Sequence, residues 1–191
     1  LEKVYDKIIE KGKALKGIKK SIFFWAVELG LKYEEPHLNS SWYNFKLGIA
    51  RKLIFSKWKE ALGGNIDLII SGGAALQERL ARVFWASGIK VLEGYGLTET
   101  SPVIAANSWH EKDIKFGSVG RVLDNLDVKI AEDGEILVKG PSVTQGYYKN
   151  EEATRESIDE DGWFHTGDIG ELTEDIFLKI TDRKKEMFKT A

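Results

Sequence analysis

The segment at residues 94–100 reads Gly-Tyr-Gly-Leu-Thr-Glu-Thr and directly follows the strand-like run 89–93. Glycine has no Cβ, so the backbone N–H groups beside these two glycines can approach a phosphate or a base closely. Tyr95 offers an aromatic face for stacking, and Glu99 offers the hard oxygen ligands that Mg²⁺ prefers. The segment therefore suits a nucleotide and a metal ion. On its own the signal is weak, because a Gly-x-Gly pair before a polar loop is more often a tight turn.

The elements around this segment predict a β-α-β unit. Residues 66–70 form a short, mostly apolar run, 71–73 are a Ser-Gly-Gly turn, 76–85 carry apolar residues at helical spacing, and 89–92 form a second strand. Such a unit implies a parallel sheet with a ligand crevice at the carboxyl ends of its strands. Both glycine turns follow those ends, so we expect them to border one ligand site.

Four later segments carry further glycine and polar clusters. They are Gly-Glu-Ile-Leu-Val-Lys-Gly at 134–140, Gly-Tyr-Tyr-Lys-Asn at 146–150, Trp-Phe-His-Thr-Gly-Asp-Ile-Gly at 163–170 and Thr-Asp-Arg-Lys-Lys at 181–185. Together with 94–99, and in this order, they resemble the later core motifs of the adenylate-forming (AMP-binding) superfamily. That superfamily includes acyl-CoA synthetases, aryl-CoA ligases, luciferases and peptide-synthetase adenylation domains. The resemblance extends from residue 66 to the last residue, and the chain is most similar to the long-chain fatty acyl-CoA synthetases.

The resemblance implies an enzyme that joins a fatty acid to ATP as an acyl adenylate and then transfers the acyl group to coenzyme A, with Mg²⁺ as metal. The family's Ser/Thr/Gly-rich phosphate loop has no counterpart in residues 1–70, and the C-terminal lid with its lysine has none after Ala191. We therefore expect a fragment that is inactive in isolation. Two alternatives stay open, namely another adenylate-forming enzyme such as an aryl-CoA ligase or peptide-synthetase domain, and a non-catalytic nucleotide-binding module.

The resemblance assigns nucleotide contacts to a set of residues: Gly72, Gly73, Ala74, Gly94, Tyr95, Gly96, Thr98, Asp168 and Arg183. Tyr95 would flank the adenine, and Thr98 would bind a phosphate oxygen. Glu99 would ligate Mg²⁺, because a carboxylate facing a triphosphate is repelled unless a divalent cation lies between them. Thr98 and Glu99 are thus the expected catalytic residues. Without the flanking matches, the alternatives are a glycine-requiring turn at 72–73 and a solvated loop carboxylate at Glu99.

Asp168 matches the family's ribose-binding aspartate, whose two oxygens accept both hydroxyls of a diol, and Arg183 would approach the same ribose. Their alternatives are a turn aspartate and a surface arginine. Lys185 falls at the family's hinge to the lid. Gly96 and Gly120 are expected near the acyl substrate, and His165 is expected to position the neighbouring turn instead of shuttling a proton.

Two positions depart from the family pattern. Ala75 stands where the family usually has proline, which loosens the turn and removes no hydrogen-bond donor. Ile176 stands where relatives often have glycine in an Asp-Gly hairpin, which leaves the type of this turn open.

Composition narrows the class of protein. The 191 residues are 42% hydrophobic and 11% aromatic, as in a folded globular protein. A formal net charge of -2 argues against a nucleic-acid binder, so small molecules are the expected partners. The absence of cysteine excludes disulfides and fits a reducing cytoplasm. The longest apolar run, 22–27, is too short to span a bilayer.

We expect an α/β fold in which a partial, mostly parallel sheet with helices precedes a β-rich subdomain. The expected divisions are 1–112 for the α/β part of the large AMP-binding domain, 113–180 for the β-rich subdomain and 181–191 for the start of the hinge. Within the subdomain, Asn150 is expected to cap a short helix at 151–157.

Lysines between residues 11 and 20 precede Phe23-Phe24-Trp25. Basic side chains beside aromatic ones are typical of a helix that lies on a membrane surface, so peripheral membrane contact stays open. The favoured alternative is an ordinary helix with its lysines in water and one buried face, formed by Ile18, Ile22, Trp25, Ala26 and Leu29.

Overall fold

The computed structural model describes residues 1–73, 76–110 and 113–184, and they form two compact units. Unit 1 comprises Leu1–Ser71 and the described parts of Leu76–Leu92 and Trp109–Phe116. Unit 2 comprises the described parts of Gly72–Ala75, Glu93–Ser108 and Gly117–Ala191. Ala74 and Lys185, two residues of the expected site, lie outside the described residues.

Unit 1 is mainly helical. Its elements are α1 (Glu2–Lys13), α2 (Gly17–Leu31), α3 (Ser41–Ala50), a π-helical segment (Arg51–Phe55), α4 (Ser56–Ala61), β1 (Leu68–Ser71), α5 (Glu78–Ala86) and the first residues of β2 (Lys90–Gly96). Among the described residues, no helix combines the length and apolar composition that crossing a bilayer requires.

The core of unit 1 lies between α2, the π segment, α4 and α5. The buried stripe of α2 consists of Phe23, Ala26, Val27 and Gly30, which recur at the i, i+3, i+4 and i+7 spacing of one helix face. A Cβ on Gly30 would lie 2.9 Å from Val83 Cγ2, so glycine at this position lets α2 pack closely against α5.

The expected buried face of α2 was partly wrong. Ala26 and Leu29 are buried as expected, but Ile18 is 78% exposed and Trp25 is 37% exposed. The reason is a contact between helices, because a Cβ on Gly12 of α1 would lie 2.0 Å from Phe23 Cε1. Glycine at position 12 therefore admits the Phe23 ring, which turns the neighbouring face of α2 inward.

Unit 2 contains the rest of the sheet. After the end of β2 come a 3-10 turn (Thr98–Thr100), β3 (Val103–Ala106), β4 (Gly120–Val122), β5 (Asp127–Ile130), β6 (Glu135–Lys139), α6 (Glu151–Ser157), β7 (Phe164–Leu172) and β8 (Phe177–Arg183). The strand order is β1-β2-β3-β4-β8-β7-β6-β5. Buried apolar residues on the strands form the core of this unit, including Ile104, Ile136, Val138 and Leu178.

The α/β class is confirmed, but a mostly parallel sheet is not. The pairings β2–β3, β3–β4, β4–β8, β8–β7, β7–β6 and β6–β5 are all antiparallel. A parallel pair needs a crossover of a dozen or more residues, whereas β2–β3, β5–β6 and β7–β8 are joined by short turns. The β-α-β pattern around α5 therefore does not extend along the chain.

The short helix α6 begins as the sequence predicts. The side chain of Asn150 accepts a hydrogen bond from the Ala153 N–H at 3.1 Å, which satisfies one of the free donors of the first turn. Glu151 and Glu152 lie in that turn, where negative charge is favourable.

The β7–β8 hairpin contains a strained residue. Ile176 adopts a φ of 58° in the left-handed region, which is unfavourable for a β-branched side chain. Its N–H donates to the Thr173 carbonyl at 2.9 Å, and its carbonyl accepts from the Val122 N–H at 3.2 Å. These backbone bonds hold the turn in place although its sequence lacks glycine.

We expect Ile176→Gly to raise the free energy of unfolding by about 1 kcal/mol, because glycine adopts this conformation without the Cβ clash. Thermal and urea unfolding of the two proteins measure the difference. The matched control is Asp175→Gly at the preceding position, which should give no gain. An unchanged or lower stability of Ile176→Gly would contradict the prediction.

Candidate functional site

The carboxylate of Asp168 is the centre of the candidate site in unit 2. Tyr95 Oη donates a hydrogen bond of 2.7 Å to Asp168 Oδ2, and Arg183 Nε lies 3.3 Å from Asp168 Oδ1. Asp168 is 5% exposed, whereas the Arg183 side chain is 65% exposed. Tyr95 and Arg183, which were expected at the same nucleotide as Asp168, therefore both contact its carboxylate.

The strands explain why these side chains meet. Asp168 on β7 and Arg183 on β8 are register partners, and a register shift follows at Ile169/Gly170. The turn before Asp168 is tied to β6, because Thr166 Oγ1 donates to the Ile136 carbonyl at 2.8 Å and accepts from the Asp168 N–H at 3.1 Å. The aspartate is thus held by backbone as well as side-chain contacts.

Burial controls the protonation of Tyr95. Loss of hydration raises the pKa of the Tyr95 phenol well above its ordinary value of 10.0, and the hydrogen bond to Asp168 and the charge of that carboxylate raise it further. The phenol therefore stays protonated and donates to Asp168 over the whole physiological pH range.

The two glycine turns come together in unit 2. A Cβ on Gly72 would lie 3.5 Å from the Gly94 carbonyl oxygen, so the turn at 72–73 lies against the end of β2 just before Tyr95. Gly73 has a φ of 78°, a conformation that favours glycine. Gly72 and Gly94 are therefore neighbours, and the expectation that the two turns border one ligand site stays a prediction.

Gly96 and Gly120 have packing reasons to be glycine. A Cβ on Gly96 would lie 1.7 Å from the Pro102 carbonyl oxygen, at the register shift between β2 and β3. A Cβ on Gly120 would lie 1.8 Å from the Ala106 carbonyl carbon, and the φ of Gly120 is 104°. Close backbone approach accounts for both residues, and their role beside an acyl substrate stays a prediction.

Glu99 belongs to a neighbouring group of contacts. Tyr147 Oη donates to Glu99 Oε1 at 2.9 Å, and the Thr144 N–H donates to the Glu99 carbonyl at 2.7 Å. Thr98 is exposed. No contact within 4.0 Å joins the carboxylate of Glu99 to Arg183 among the described residues, so the structure does not bring Glu99 into the Tyr95–Asp168–Arg183 group.

The donor set around Glu99 fits Mg²⁺ bound together with phosphate. Within the described residues, no group of three or more His, Asp or Glu side chains could hold a metal ion by itself. Mg²⁺ usually keeps several waters and binds through one or two carboxylates plus substrate phosphates, so a single carboxylate is sufficient. Glu99 Oε2 has no hydrogen-bond donor among the described residues and is the available ligand atom.

A second buried carboxylate lies behind the Asp168 turn, and sequence reasoning missed it. Glu135 is 3% exposed and accepts hydrogen bonds from Lys184 Nζ at 2.7 Å, His165 Nδ1 at 3.0 Å and the Gly167 N–H at 2.9 Å. Lys184 Nζ also lies 2.7 Å from Asp133 Oδ2. We call these five residues the Glu135 network. It ties the turn before Asp168 to the residue after Arg183.

The charges of the Glu135 network stabilise one another. Burial alone would raise the pKa of the Glu135 carboxyl, but hydrogen bonds from Lys184, His165 and Gly167 outweigh it and hold this pKa below its ordinary value. Hydrogen bonds to Asp133 and Glu135 raise the pKa of Lys184. The only signal in the sequence was a carboxylate directly before the apolar residues 136–138. The same pattern is equally typical of a strand end that faces solvent.

Sequence comparison finds relatives of the chain. A family model described as AMP-binding enzyme matches residues 24–148. Long-chain-fatty-acid–CoA ligase FadD15 of Mycobacterium bovis is 45% identical over 146 residues, which are 76% of this chain and 24% of that protein. Long chain acyl-CoA synthetase 3 of Arabidopsis thaliana is 36% identical over 210 aligned positions, which cover 100% of this chain and 30% of that protein. The chain thus spans under a third of the length of these relatives.

Solved structures show the same fold. O-succinylbenzoate coenzyme A synthetase (MenE) from Bacillus subtilis, in complex with ATP and magnesium ion, has a TM-score of 0.56 and 31% identity, covering 68% of this chain and 30% of that one. Apo MatB from Rhodopseudomonas palustris has a TM-score of 0.58 and 32% identity, covering 70% of this chain and 29% of that one.

We expect Glu135→Gln to lower the free energy of unfolding by about 2 kcal/mol at pH 7, because charge-assisted hydrogen bonds to Lys184 and His165 are lost. The folded pKa of Glu135 is depressed, so its contribution is present above the ordinary carboxyl value of 4.5 and is lost as the pH falls through the folded pKa. Urea unfolding of the wild type and of Glu135→Gln should therefore show a difference in the free energy of unfolding that becomes smaller as the pH falls from 7 to 3.

The exposed neighbour Glu132 supplies the matched control for this series. Glu132→Gln should leave the free energy of unfolding within about 0.5 kcal/mol of the wild type. A Glu135→Gln difference that stays constant down to pH 3, or that equals the control, would show that the network does not hold a charged Glu135.

Proposed function

The chain belongs to the family of AMP-binding enzymes, and we propose that it is the nucleotide-holding part of an ATP-dependent long-chain fatty acid CoA ligase. The observation that carries the proposal is the contact of Tyr95 and Arg183 with the buried carboxylate of Asp168. In the family pattern these three positions surround one adenosine, and here they meet although they are far apart in the chain.

The relatives support a long-chain acid as the substrate. The two curated relatives named above are long-chain enzymes and share 45% and 36% of their aligned residues with this chain. The solved synthetase that acts on o-succinylbenzoate shares 31%. The higher identity favours a long-chain fatty acid over the acid of an aryl-CoA ligase or of a peptide-synthetase domain.

The proposed reaction has two steps. A carboxylate oxygen of the fatty acid attacks the α-phosphorus of ATP, and pyrophosphate leaves. The thiolate of coenzyme A then attacks the acyl carbon of the adenylate, and AMP leaves. Both steps depend mainly on alignment of the reactants and on neutralisation of phosphate charge, so the chain's part is to hold adenosine and phosphate in place.

Asp168 is suited to bind the ribose hydroxyls. Each carboxylate oxygen has two lone pairs, so Oδ2 can accept from Tyr95 and Oδ1 can pair with Arg183 while each also accepts from a hydroxyl. Hydrogen bonds to a buried charged acceptor are stronger than bonds between neutral groups. The protein contacts fix the orientation of the carboxylate before the nucleotide binds.

Glu99 and Thr98 would serve the phosphates. Thr98 is exposed, and its hydroxyl would donate to a phosphate oxygen, while Glu99 would provide a carboxylate ligand for Mg²⁺. Bound there, Mg²⁺ would neutralise phosphate charge. Tyr147 restrains the Glu99 carboxylate by its hydrogen bond and so limits the directions in which Oε2 points.

The remaining assignments are parts of the same proposal. Residues 1–112 would belong to the large AMP-binding domain, 113–180 would form the β-rich subdomain, and 181–191 would lead to a lid that moves about Lys185. Ala74 would border the adenine. Location in the cytoplasm and contact with a membrane surface stay predictions.

We expect Asp168→Asn to weaken AMP binding about tenfold or more, because an amide offers one acceptor oxygen without charge where the ribose diol needs two. Isothermal titration of AMP and of 2′,3′-dideoxy-AMP into the 191-residue chain measures the effect. The wild type should prefer AMP, and the variant should lose that preference.

Asp127→Asn, which changes an exposed aspartate of unit 2, is the control for this titration and should bind AMP as the wild type does. If the wild-type chain bound both nucleotides equally, Asp168 would not be the ribose ligand.

We expect Glu99→Gln to remove most of the effect of Mg²⁺ on ATP affinity while AMP affinity stays within about twofold, because only the triphosphate needs the bridging cation. Titrations of ATP with Mg²⁺ and with excess chelator give the ratio of dissociation constants for each protein. An equal Mg²⁺ effect in the wild type and the variant would exclude Glu99 as the metal ligand.

A further inference from the structure

Two hydrogen bonds attach Glu99, the residue proposed as the metal ligand, to the segment that precedes α6. The Thr144 N–H donates to the Glu99 carbonyl at 2.7 Å, and Tyr147 Oη donates to Glu99 Oε1 at 2.9 Å. The first bond holds the backbone of the 3-10 turn, and the second holds a side chain on that turn. All three residues belong to unit 2, so these contacts lie within one compact unit.

The hydrogen bond from Tyr147 restricts a flexible side chain. A glutamate side chain has several rotatable bonds, and it loses rotamer freedom when its carboxylate is held in one place. Glu99 Oε2 accepts no hydrogen bond from the residues that the structure describes, whereas Oε1 accepts the bond from Tyr147. The protein therefore holds one oxygen of the carboxylate and leaves the other for a ligand.

Tyr147 is in turn held by the start of α6. Its N–H donates to Thr154 Oγ1 at 2.9 Å, and Thr154 Oγ1 donates to the Asn150 carbonyl at 2.8 Å. A hydroxyl can donate one hydrogen bond while it accepts another, so Thr154 joins Tyr147 to the helix. The Asn150 N–H also donates to the Tyr147 carbonyl at 3.1 Å. The backbone of Tyr147 is therefore hydrogen-bonded through both its N–H and its carbonyl.

Glycine at position 146 allows the contact between Tyr147 and Thr154. A Cβ on Gly146 would lie 2.7 Å from Thr154 Cγ2, which is closer than real Cβ atoms approach, and the φ of Gly146 is 145°, a conformation that favours glycine. The chain therefore passes directly beside Thr154, and the N–H of the next residue, Tyr147, reaches Thr154 Oγ1. The contacts thus continue from α6 through Thr154 and Tyr147 to Glu99.

The adjacent tyrosine differs in its contacts. Tyr148 is 88% exposed, whereas Tyr147 is 37% exposed. The Lys149 ammonium group lies 5.2 Å from the centroid of the Tyr148 ring, at the surface of the protein. Of two neighbouring tyrosines, one therefore contacts Glu99 and the other faces solvent, so Tyr148 offers a matched control for the hydroxyl of Tyr147.

We propose that Tyr147 and Thr154 are positioning residues for Glu99: Thr154 holds Tyr147, and Tyr147 holds Glu99 Oε1, so that Oε2 is presented to Mg²⁺ bound with ATP. This role rests on the proposed function, in which Glu99 ligates Mg²⁺, and it adds how the carboxylate is oriented. Immobilising a flexible side chain on binding lowers affinity by about two- to tenfold, and a carboxylate that is already held avoids this loss. Neither positioning residue needs to touch the nucleotide.

The test measures the effect of Mg²⁺ on the ATP affinity of the 191-residue chain and its variants. Isothermal titrations of ATP with excess chelator and with Mg²⁺ give, for each protein, the ratio of the two dissociation constants, here called the Mg²⁺ ratio. We expect Tyr147→Phe to lower the Mg²⁺ ratio about fivefold, while AMP affinity stays within about twofold of the wild type. Tyr148→Phe removes the same hydroxyl from the neighbouring residue and should keep the full Mg²⁺ ratio.

Two substitutions at Thr154 test the indirect contact. Thr154→Val removes the hydroxyl with little change in shape and should lower the Mg²⁺ ratio, whereas Thr154→Ser keeps the hydroxyl and should bind ATP as the wild type does. Because Thr154 acts through Tyr147, the double variant Tyr147→Phe/Thr154→Val should lower the Mg²⁺ ratio no further than Tyr147→Phe alone. Far-ultraviolet circular dichroism and AMP titration check that each variant is folded.

The outcomes separate the positioning role from the proposed function. A full Mg²⁺ ratio in Tyr147→Phe, together with a lost ratio in Glu99→Gln, would overturn the positioning role and leave Glu99 as the metal ligand. A full Mg²⁺ ratio in Glu99→Gln would overturn both. Equal reductions in Tyr147→Phe and Tyr148→Phe, or a reduction in Tyr147→Phe matched by an equal loss of AMP affinity, would show that the hydrogen bond to Glu99 is not the cause. Additive losses in the double variant would contradict the part assigned to Thr154.

Discussion

A buried negative charge on Asp168 determines the arrangement of unit 2. The carboxylate is almost inaccessible to solvent, so it needs partners, and it obtains one for each oxygen from Tyr95 and Arg183. Those partners come from β2 and β8, while Asp168 lies on β7. The need to pair the Asp168 carboxylate therefore joins three strands of the sheet at the place where the nucleotide is proposed to bind. Each carboxylate oxygen keeps a lone pair with which it can accept a hydrogen bond from a ligand.

The Glu135 network supports this arrangement from behind. Glu135 holds the Gly167 N–H immediately before Asp168 and the ammonium group of Lys184 immediately after Arg183. Both ends of the Asp168–Arg183 pair are thus attached to one carboxylate on β6. Since Glu135 is itself buried and multiply hydrogen bonded, movement of either end would leave an unpaired charge, which is costly. These hydrogen bonds therefore restrain the turn before Asp168 and the residue after Arg183 through one shared partner.

The sequence allowed the contacts of Asp168 to be predicted because their residues belong to motifs with a known order, and the Asn150 cap because its signal is local. Strand direction after β2 was not predictable, since apolar periodicity identifies a strand but not its partner. The buried face of α2 differs from the expected one because the Phe23 ring packs at Gly12 of α1, and the sequence of α2 alone does not reveal that contact. Glu135 was missed because burial of a charged strand residue depends on partners such as Lys184, 49 positions away.

The most direct test of the ribose site is a nuclear magnetic resonance titration of the isotopically labelled chain with AMP. The account predicts saturable shifts of backbone amides concentrated at residues 72–73, 94–96 and 166–168, around the Tyr95–Asp168 hydrogen bond. Saturable shifts that spare 94–96 and 166–168, or no saturable shifts at millimolar AMP, would contradict it.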